Sequence, residues 1–161
     1  MRKLIVAVAV LCLMSGVSMA GMQSGQVEIG GAVMVMKPTT EGDLTGTAMG
    51  GIGYMLTDNI ELKGQASLTI TGGDVSGTLG GGLEFYLTPS ASMVPYIGAS
   101  AMTSIGEYGG GEGLLIDVHG GVKQFISENT SVNLTLYYET TTDNFTDGGM
   151  LIGMLGLSVY L

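Results

Sequence analysis

The sequence predicts an all-β fold: an eight-stranded antiparallel up-and-down transmembrane β-barrel. Three observations lead there. The N-terminus reads as a secretory leader. The rest of the chain is apolar, with a mean hydropathy of +0.44 over the full sequence, yet outside the leader it holds no uninterrupted apolar run of the roughly 18 residues that a spanning helix needs. Apolar and polar residues also alternate with period two through eight successive segments, each about as long as a tilted strand that crosses a bilayer. A closed barrel is then the membrane solution, because closure satisfies every backbone N–H and C=O without a helix.

The leader comes first. Arg2 and Lys3 supply a positive start, Leu4 to Met14 a short apolar stretch, and Ser18-Met19-Ala20 the small residues read at a cleavage site. Residues 1–20 are therefore expected to be a cleaved signal peptide and residues 21–161 the barrel. The single cysteine, Cys12, falls inside the leader. Val10 and Leu11 precede it, where a lipoprotein needs small residues. The mature chain then has neither a disulfide nor a thiolate metal site. Without Arg2 and Lys3, three basic residues (Lys37, Lys63, Lys123) stand against 14 acidic ones, a net charge of −11. That balance argues against nucleic acid as a partner.

The strands are read from alternation, since residues two apart share a face. From Gln26 to Met36, Val27, Ile29, Val33 and Val35 oppose Glu28, Ala32, Met34 and Met36. From Leu44 to Leu56, Leu44, Ala48, Ile52 and Tyr54 share a side. Ile60 to Thr71 is the cleanest run: Ile60, Leu62, Ala66, Leu68 and Ile70 oppose Glu61, Lys63, Gln65, Ser67 and Thr69. Ser76 to Leu87 sets Leu79, Leu83, Phe85 and Leu87 against Thr78, Glu84 and Tyr86. Tyr96 to Ile105 sets Ile97, Ala99, Ala101 and Ile105 against Tyr96, Ser100 and Ser104. Leu114 to Ile126 opposes Ile116, Val118 and Val122 to Asp117, His119 and Lys123. Ser131 to Thr140 opposes Val132, Leu134, Leu136 and Tyr138 to Asn133, Thr135 and Glu139. Met150 to Leu161 opposes Leu151, Leu155, Leu157, Val159 and Leu161 to Gly156, Ser158 and Tyr160.

A soluble sandwich turns its apolar face inward; a membrane barrel turns it outward. The leader and the even strand count select the barrel. Short polar turns (Thr57-Asp58-Asn59, Thr88-Pro89-Ser90, Ser127-Glu128-Asn129) alternate with glycine- and acid-rich connections at Lys37 to Asp43, Gly72 to Val75, Gly106 to Gly113 and Thr141 to Gly149. The short set is expected at the periplasmic end and the longer set outside. Tyr54, Phe85 and Tyr138 are the expected outward aromatic anchors.

These features resemble the small eight-stranded outer-membrane barrels of the OmpA/OmpX type. The resemblance covers nearly the whole mature chain. It is carried by Gly53-Tyr54-Met55-Leu56-Thr57-Asp58-Asn59-Ile60, Pro95-Tyr96-Ile97-Gly98-Ala99 and Gly121-Val122-Lys123-Gln124-Phe125. It implies residence in the bacterial outer membrane among its lipids, as a structural or surface-interaction protein. It also implies a C-terminal signal read by the outer-membrane insertion machinery. Here that signal is Gly156, Val159 and Leu161, with Leu161 in place of the usual terminal aromatic.

Eight strands close a barrel just wide enough to be filled by side chains, so a filled interior is expected. Glu28, Glu61, Lys63, Glu84 and Lys123 lie at similar heights above the periplasmic turns and are expected to form one ionic layer; Asp117, His119 and Glu139 also carry inward parity and complete the polar interior set. His119 has Asp117 or Glu139 as its expected partner. Met34, Met36, Met49, Met55, Met150 and Met154 carry inward parity on strands that closure makes neighbours, which predicts a methionine wall of adaptable filler. No cofactor, metal or catalytic residue is expected. The single histidine points into the barrel, away from any lipid ester, which weighs against a lipid-modifying enzyme. A carrier or binder of small apolar molecules is the alternative reading. A monomer is the expected state.

Overall fold

The computed structural model describes residues 21–36, 43–105, 114–142 and 149–161; the leader falls outside them. Eight strands run in chain order: β1 Val27–Met36, β2 Thr45–Met55, β3 Ile60–Thr71, β4 Asp74–Tyr86, β5 Met93–Ile105, β6 Leu115–Ser127, β7 Thr130–Thr141 and β8 Met150–Tyr160. Each pairs antiparallel with the next, and β1 pairs with β8 to close the barrel.

The orientation of the faces is inverted relative to a soluble core. Leu155 on the outer face is 61% exposed, whereas Lys123 on the inner face is fully buried. Ile52, Ile97, Leu134, Leu136 and Leu157 share the outward exposure; Glu28, Glu61, Glu84, Asp117 and His119 share the burial. Tyr54, Phe85 and Tyr138 face outward. The transmembrane barrel predicted from alternation is the fold observed.

The differences from the predicted strands lie at turns. The connection from β3 to β4 is not an extended outer loop. It is a two-residue hairpin turn in which Gly72 and Gly73 take positive φ (61° and 104°), the pair of left-handed conformations that a tight hairpin demands and glycine adopts most readily. β4 therefore starts at Asp74, facing Thr71. β5 begins at Met93, three residues before the predicted start, and contains Pro95. Proline has no N–H to give a ladder, but the Pro95 carbonyl still accepts from the Leu87 N–H at 3.0 Å. In β6 the ladder shifts register between Phe125 and Ser127; Lys123 and Phe125 are buried by inward parity, and Gln124 between them is buried as well, with its amide donating to the Ser92 carbonyl at 3.1 Å.

Candidate functional site

The polar interior is the site, and it is stacked in layers from the end with the short turns upward. The floor is a buried cluster of Met22, Met55, Tyr86, Val94, Tyr96, Phe125 and Tyr160. Phe125 and Tyr160 pack with ring centroids 5.2 Å apart, and Tyr86 and Tyr96 at 5.8 Å. Met22 reaches this cluster because residues 21–26 cross beneath the barrel as a strap. The Met22 N–H donates to the Pro89 carbonyl at 3.0 Å and the Gly25 N–H to the Met55 carbonyl at 2.8 Å. The Ser24 N–H donates to the Asp58 carboxylate at 2.9 Å. Sequence reasoning did not find this strap, since it precedes the first alternating run and carries no period of its own.

Directly above the floor lies the ionic layer. Lys123 is its hub: its ammonium pairs with Glu28, lies 3.3 Å from Glu84 and 3.7 Å from Glu61, and donates to the Tyr86 hydroxyl at 2.7 Å. The same ammonium sits over the rings of Tyr86 and Tyr96, 4.9 and 5.3 Å from their centroids, which adds cation–π attraction where water is excluded. Lys63 lies 2.8 Å from Glu84 and 3.4 Å from Glu28. The Tyr86 hydroxyl lies within hydrogen-bond distance of the carboxylates of Glu84, at 2.6 Å, and Glu61, and its one proton serves one of them at a time. Ser158 and Tyr160 donate to Glu28 at 2.6 and 3.1 Å.

Register brings these groups to one height. Glu61 faces Glu84 across β3 and β4, and Glu28 faces Tyr160 across β1 and β8. Glycines on the neighbouring strands give the large groups room. Gly98 stands between Glu84 and His119 in the ladder, and a Cβ there would clash with Nε2 of the His119 ring and come 2.8 Å from the Leu83 carbonyl. Gly121 faces Tyr96, and a Cβ there would come 2.9 Å from the Tyr96 hydroxyl.

His119 links this layer to the next. Its Nδ1 lies 2.5 Å from Asp117 and its Nε2 3.3 Å from Glu84. Of the two partners predicted for His119, Asp117 is the one it meets; Glu84 is a partner that parity alone could not place. Glu139 faces Asp117 in the β6–β7 ladder and is only half-buried. Ser100 donates to Asp117, and Gln65 donates to Ser100 at 2.7 Å and to the Met102 sulfur at 3.2 Å. Higher still, the interior is lined by hydroxyl pairs: Ser67 with Thr78 at 2.7 Å, Thr47 with Thr69 and Thr45 with Thr71, both at 3.0 Å.

The methionines do not form the continuous wall that parity predicted. Met55 belongs to the floor, while Met49 and Met154 line a cavity of about 50 Å³ that also borders Glu28 and Lys63. Met34 is half-buried. Met150 is 51% exposed, because it is the first residue of β8 at the outer rim. The side chain of Met36 lies outside the described residues.

Chemically, the layer is a set of groups that pair largely with one another, although Glu61 Oε1 and His119 Nε2 are buried without a hydrogen-bond partner. The carboxylates of Glu28, Glu61 and Glu84 approach within 4.8 Å, the spacing of a metal site, but the ammonium groups of Lys63 and Lys123 stand among them. Ser100 bonds to Asp117 and not to the imidazole, so the geometry is not that of an activated hydroxyl. At the C-terminus, Val159 and Leu161 face outward. Leu161 exchanges hydrogen bonds with Val27 at 2.9 and 3.2 Å. A Cβ on Gly156 would come 2.8 Å from the Gly31 carbonyl, so that position serves the closing seam.

No family model matches the sequence, and no curated protein does. Solved structures do match. The N-terminal β-barrel domain of Pseudomonas aeruginosa OprF aligns with a TM-score of 0.66 at 18% identity, covering 86% of this chain and 98% of that one. A de novo designed transmembrane β-barrel aligns at 0.62 with 12% identity over 88% of this chain and 99% of the design. Neisserial surface protein A aligns at 0.56 with 14% identity over 83% and 95%. The chain has the closed eight-stranded fold of the small outer-membrane β-barrels.

Proposed function

We propose that this protein is an integral barrel of the bacterial outer membrane with a structural or surface-interaction role, and that its interior neither conducts nor catalyses. The observation that carries this reading is the stack of floor and ionic layer. Met22, Phe125 and Tyr160 fill the periplasmic mouth, and Lys123 with its carboxylates fills the cross-section above it. The apolar outer face supplies the lipid contact, and a leader at residues 1–20 supplies the export that the location requires. In this reading the insertion machinery reads the C-terminal segment that ends in Val159, Tyr160 and Leu161. His119 is held between two carboxylates and buried, which supports a structural role for it.

Planar-bilayer recording of the refolded protein tests the sealed interior. A silent trace is expected, and discrete conductance steps would overturn the reading. Cell fractionation tests the location: the protein is expected with the outer membrane, in a form whose gel migration shifts on boiling.

A further inference from the structure

The methionines that face the interior above the ionic layer differ in what their sulfurs do. The sulfur of Met102 is engaged: it accepts hydrogen bonds from Gln65 at 3.2 Å and Thr78 at 3.6 Å. Those of Met34, Met49 and Met154 accept none among the described residues.

Register gathers these three around Ala32. Met49 faces Ala32 across β1 and β2, and Gly156 faces it across β1 and β8. Met34 is the next inward residue above Ala32, and Met154 the next above Gly156. The closing ladder ends at Val33 and Leu155, so Met34 and Met154 follow its last pair on adjacent strands. Three consecutive strands, β8, β1 and β2, thus bring three thioethers to neighbouring inward positions. Cβ atoms at such positions stand about 4.5–8 Å apart, a gap that an unbranched side chain with three rotatable bonds can close.

The small residues keep the space between them clear. A Cβ on Gly156 would come 3.2 Å from the Ala32 methyl. Met49 and Met154 border one cavity of about 50 Å³ together with Ala32 and Gly156, room for an ion or a few waters. Met154 is buried, and Met34 and Met49 are half-buried.

The donor set selects the guest. Uncharged thioethers are soft ligands that suit Cu(I) and its like, whereas harder cations take carboxylate, imidazole or water. Among the described residues β2 and β8 carry no carboxylate, imidazole or thiolate. The one carboxylate on β1, Glu28, lies four residues below Ala32 and is paired with Lys63 and Lys123. The chain's net charge of −9 draws cations toward it, and Met150, 51% exposed at the outer rim, sets a further sulfur at the mouth. We propose that Met34, Met49 and Met154 form a three-sulfur site for a soft monovalent cation of the Cu(I) and Ag(I) class. The site needs the closed barrel and not a particular location.

Silver(I), which stays in one oxidation state, is the probe. The refolded protein, its barrel confirmed by gel migration, is titrated with silver nitrate in chloride-free buffer and followed by calorimetry and by methionine methyl resonances. Saturation at one ion per barrel is expected. The methyl signals of Met34, Met49 and Met154 should shift with it, those of Met55 and Met102 should stay, and zinc(II) should move none of the three. Leucine is close to methionine in volume, so Met34→Leu, Met49→Leu and Met154→Leu keep the packing. Each is expected to weaken silver binding by about tenfold or more, the scale on which even outer-shell changes at metal sites act, while Met102→Leu leaves it unchanged. Absence of saturable binding would overturn the site. So would undiminished binding in the variant that combines all three leucines, or methyl shifts confined to Met93 and Met150, since exposed sulfurs would then hold the ion.

Discussion

The two halves of the barrel interior solve the same filling problem by different means. The half next to the short turns is packed with charge and aromatic rings around Lys123. The other half is lined by neutral hydroxyl pairs, glycine and methionine, and a cavity beside Met49 and Met154 reaches from it down to Glu28 and Lys63. Buried charges hold one another only as a set: removing one leaves the rest uncompensated. Hydroxyl pairs are nearly independent, and each contributes little alone. The lower half is therefore expected to behave as one cooperative unit and the upper half as a series of separable rungs.

The largest expected effect comes from the hub. Lys123→Met leaves Glu28, Glu61 and Glu84 facing one another without their central cation and should destabilise the barrel by about 3–5 kcal/mol. Urea unfolding in lipid vesicles, followed by gel migration, measures it; a loss below about 1 kcal/mol would show that the layer is not a charge-balanced unit. Next is the floor. Met22→Ala removes a buried side chain from the mouth and should cost about 2 kcal/mol or more, read in the same titration. Little change would mean that the strap rests on the barrel without sealing it. Gly98→Ala tests the space between Glu84 and His119. Overpacking there should cost about 1–3 kcal/mol, and a neutral result would show that the His119 ring moves aside freely. The smallest effect is expected in the upper half, where Thr47→Val removes one hydroxyl partner of Thr69. A loss of about 1 kcal/mol or less is expected, and a loss as large as that of Lys123→Met would erase the distinction between the halves.

The eight strands and their facing were legible in the sequence because inside–outside alternation leaves a trace at every second residue, as in Ile60 to Thr71. The heights of Glu28, Glu61, Lys63, Glu84 and Lys123 were legible as well, since the short turns set a common origin for counting. What escaped has a physical reason in each case. Met22 lies before the first strand, where no periodicity marks it. Gln124 has outward parity and is buried all the same, because it meets the Ser92 carbonyl of the preceding turn, a contact that alternation does not encode. The Glu84–His119 contact depends on strand order and stagger, which alternation within one strand does not encode. Met150 has inward parity, but parity says nothing about whether a neighbour covers a residue at the rim. The partial β1–β8 ladder belongs to two segments at opposite ends of the chain, each of which reads as an ordinary strand alone.

The central claim is the inversion of the two faces, and lipid contact tests it most directly. With methyl-labelled protein in nanodiscs, nuclear Overhauser contacts to lipid acyl chains are expected from the methyl groups of Ile97, Leu134 and Leu155 and not from those of Met55 and Met102. Acyl-chain contacts at Met55 and Met102, with Ile97, Leu134 and Leu155 shielded from lipid, would contradict it.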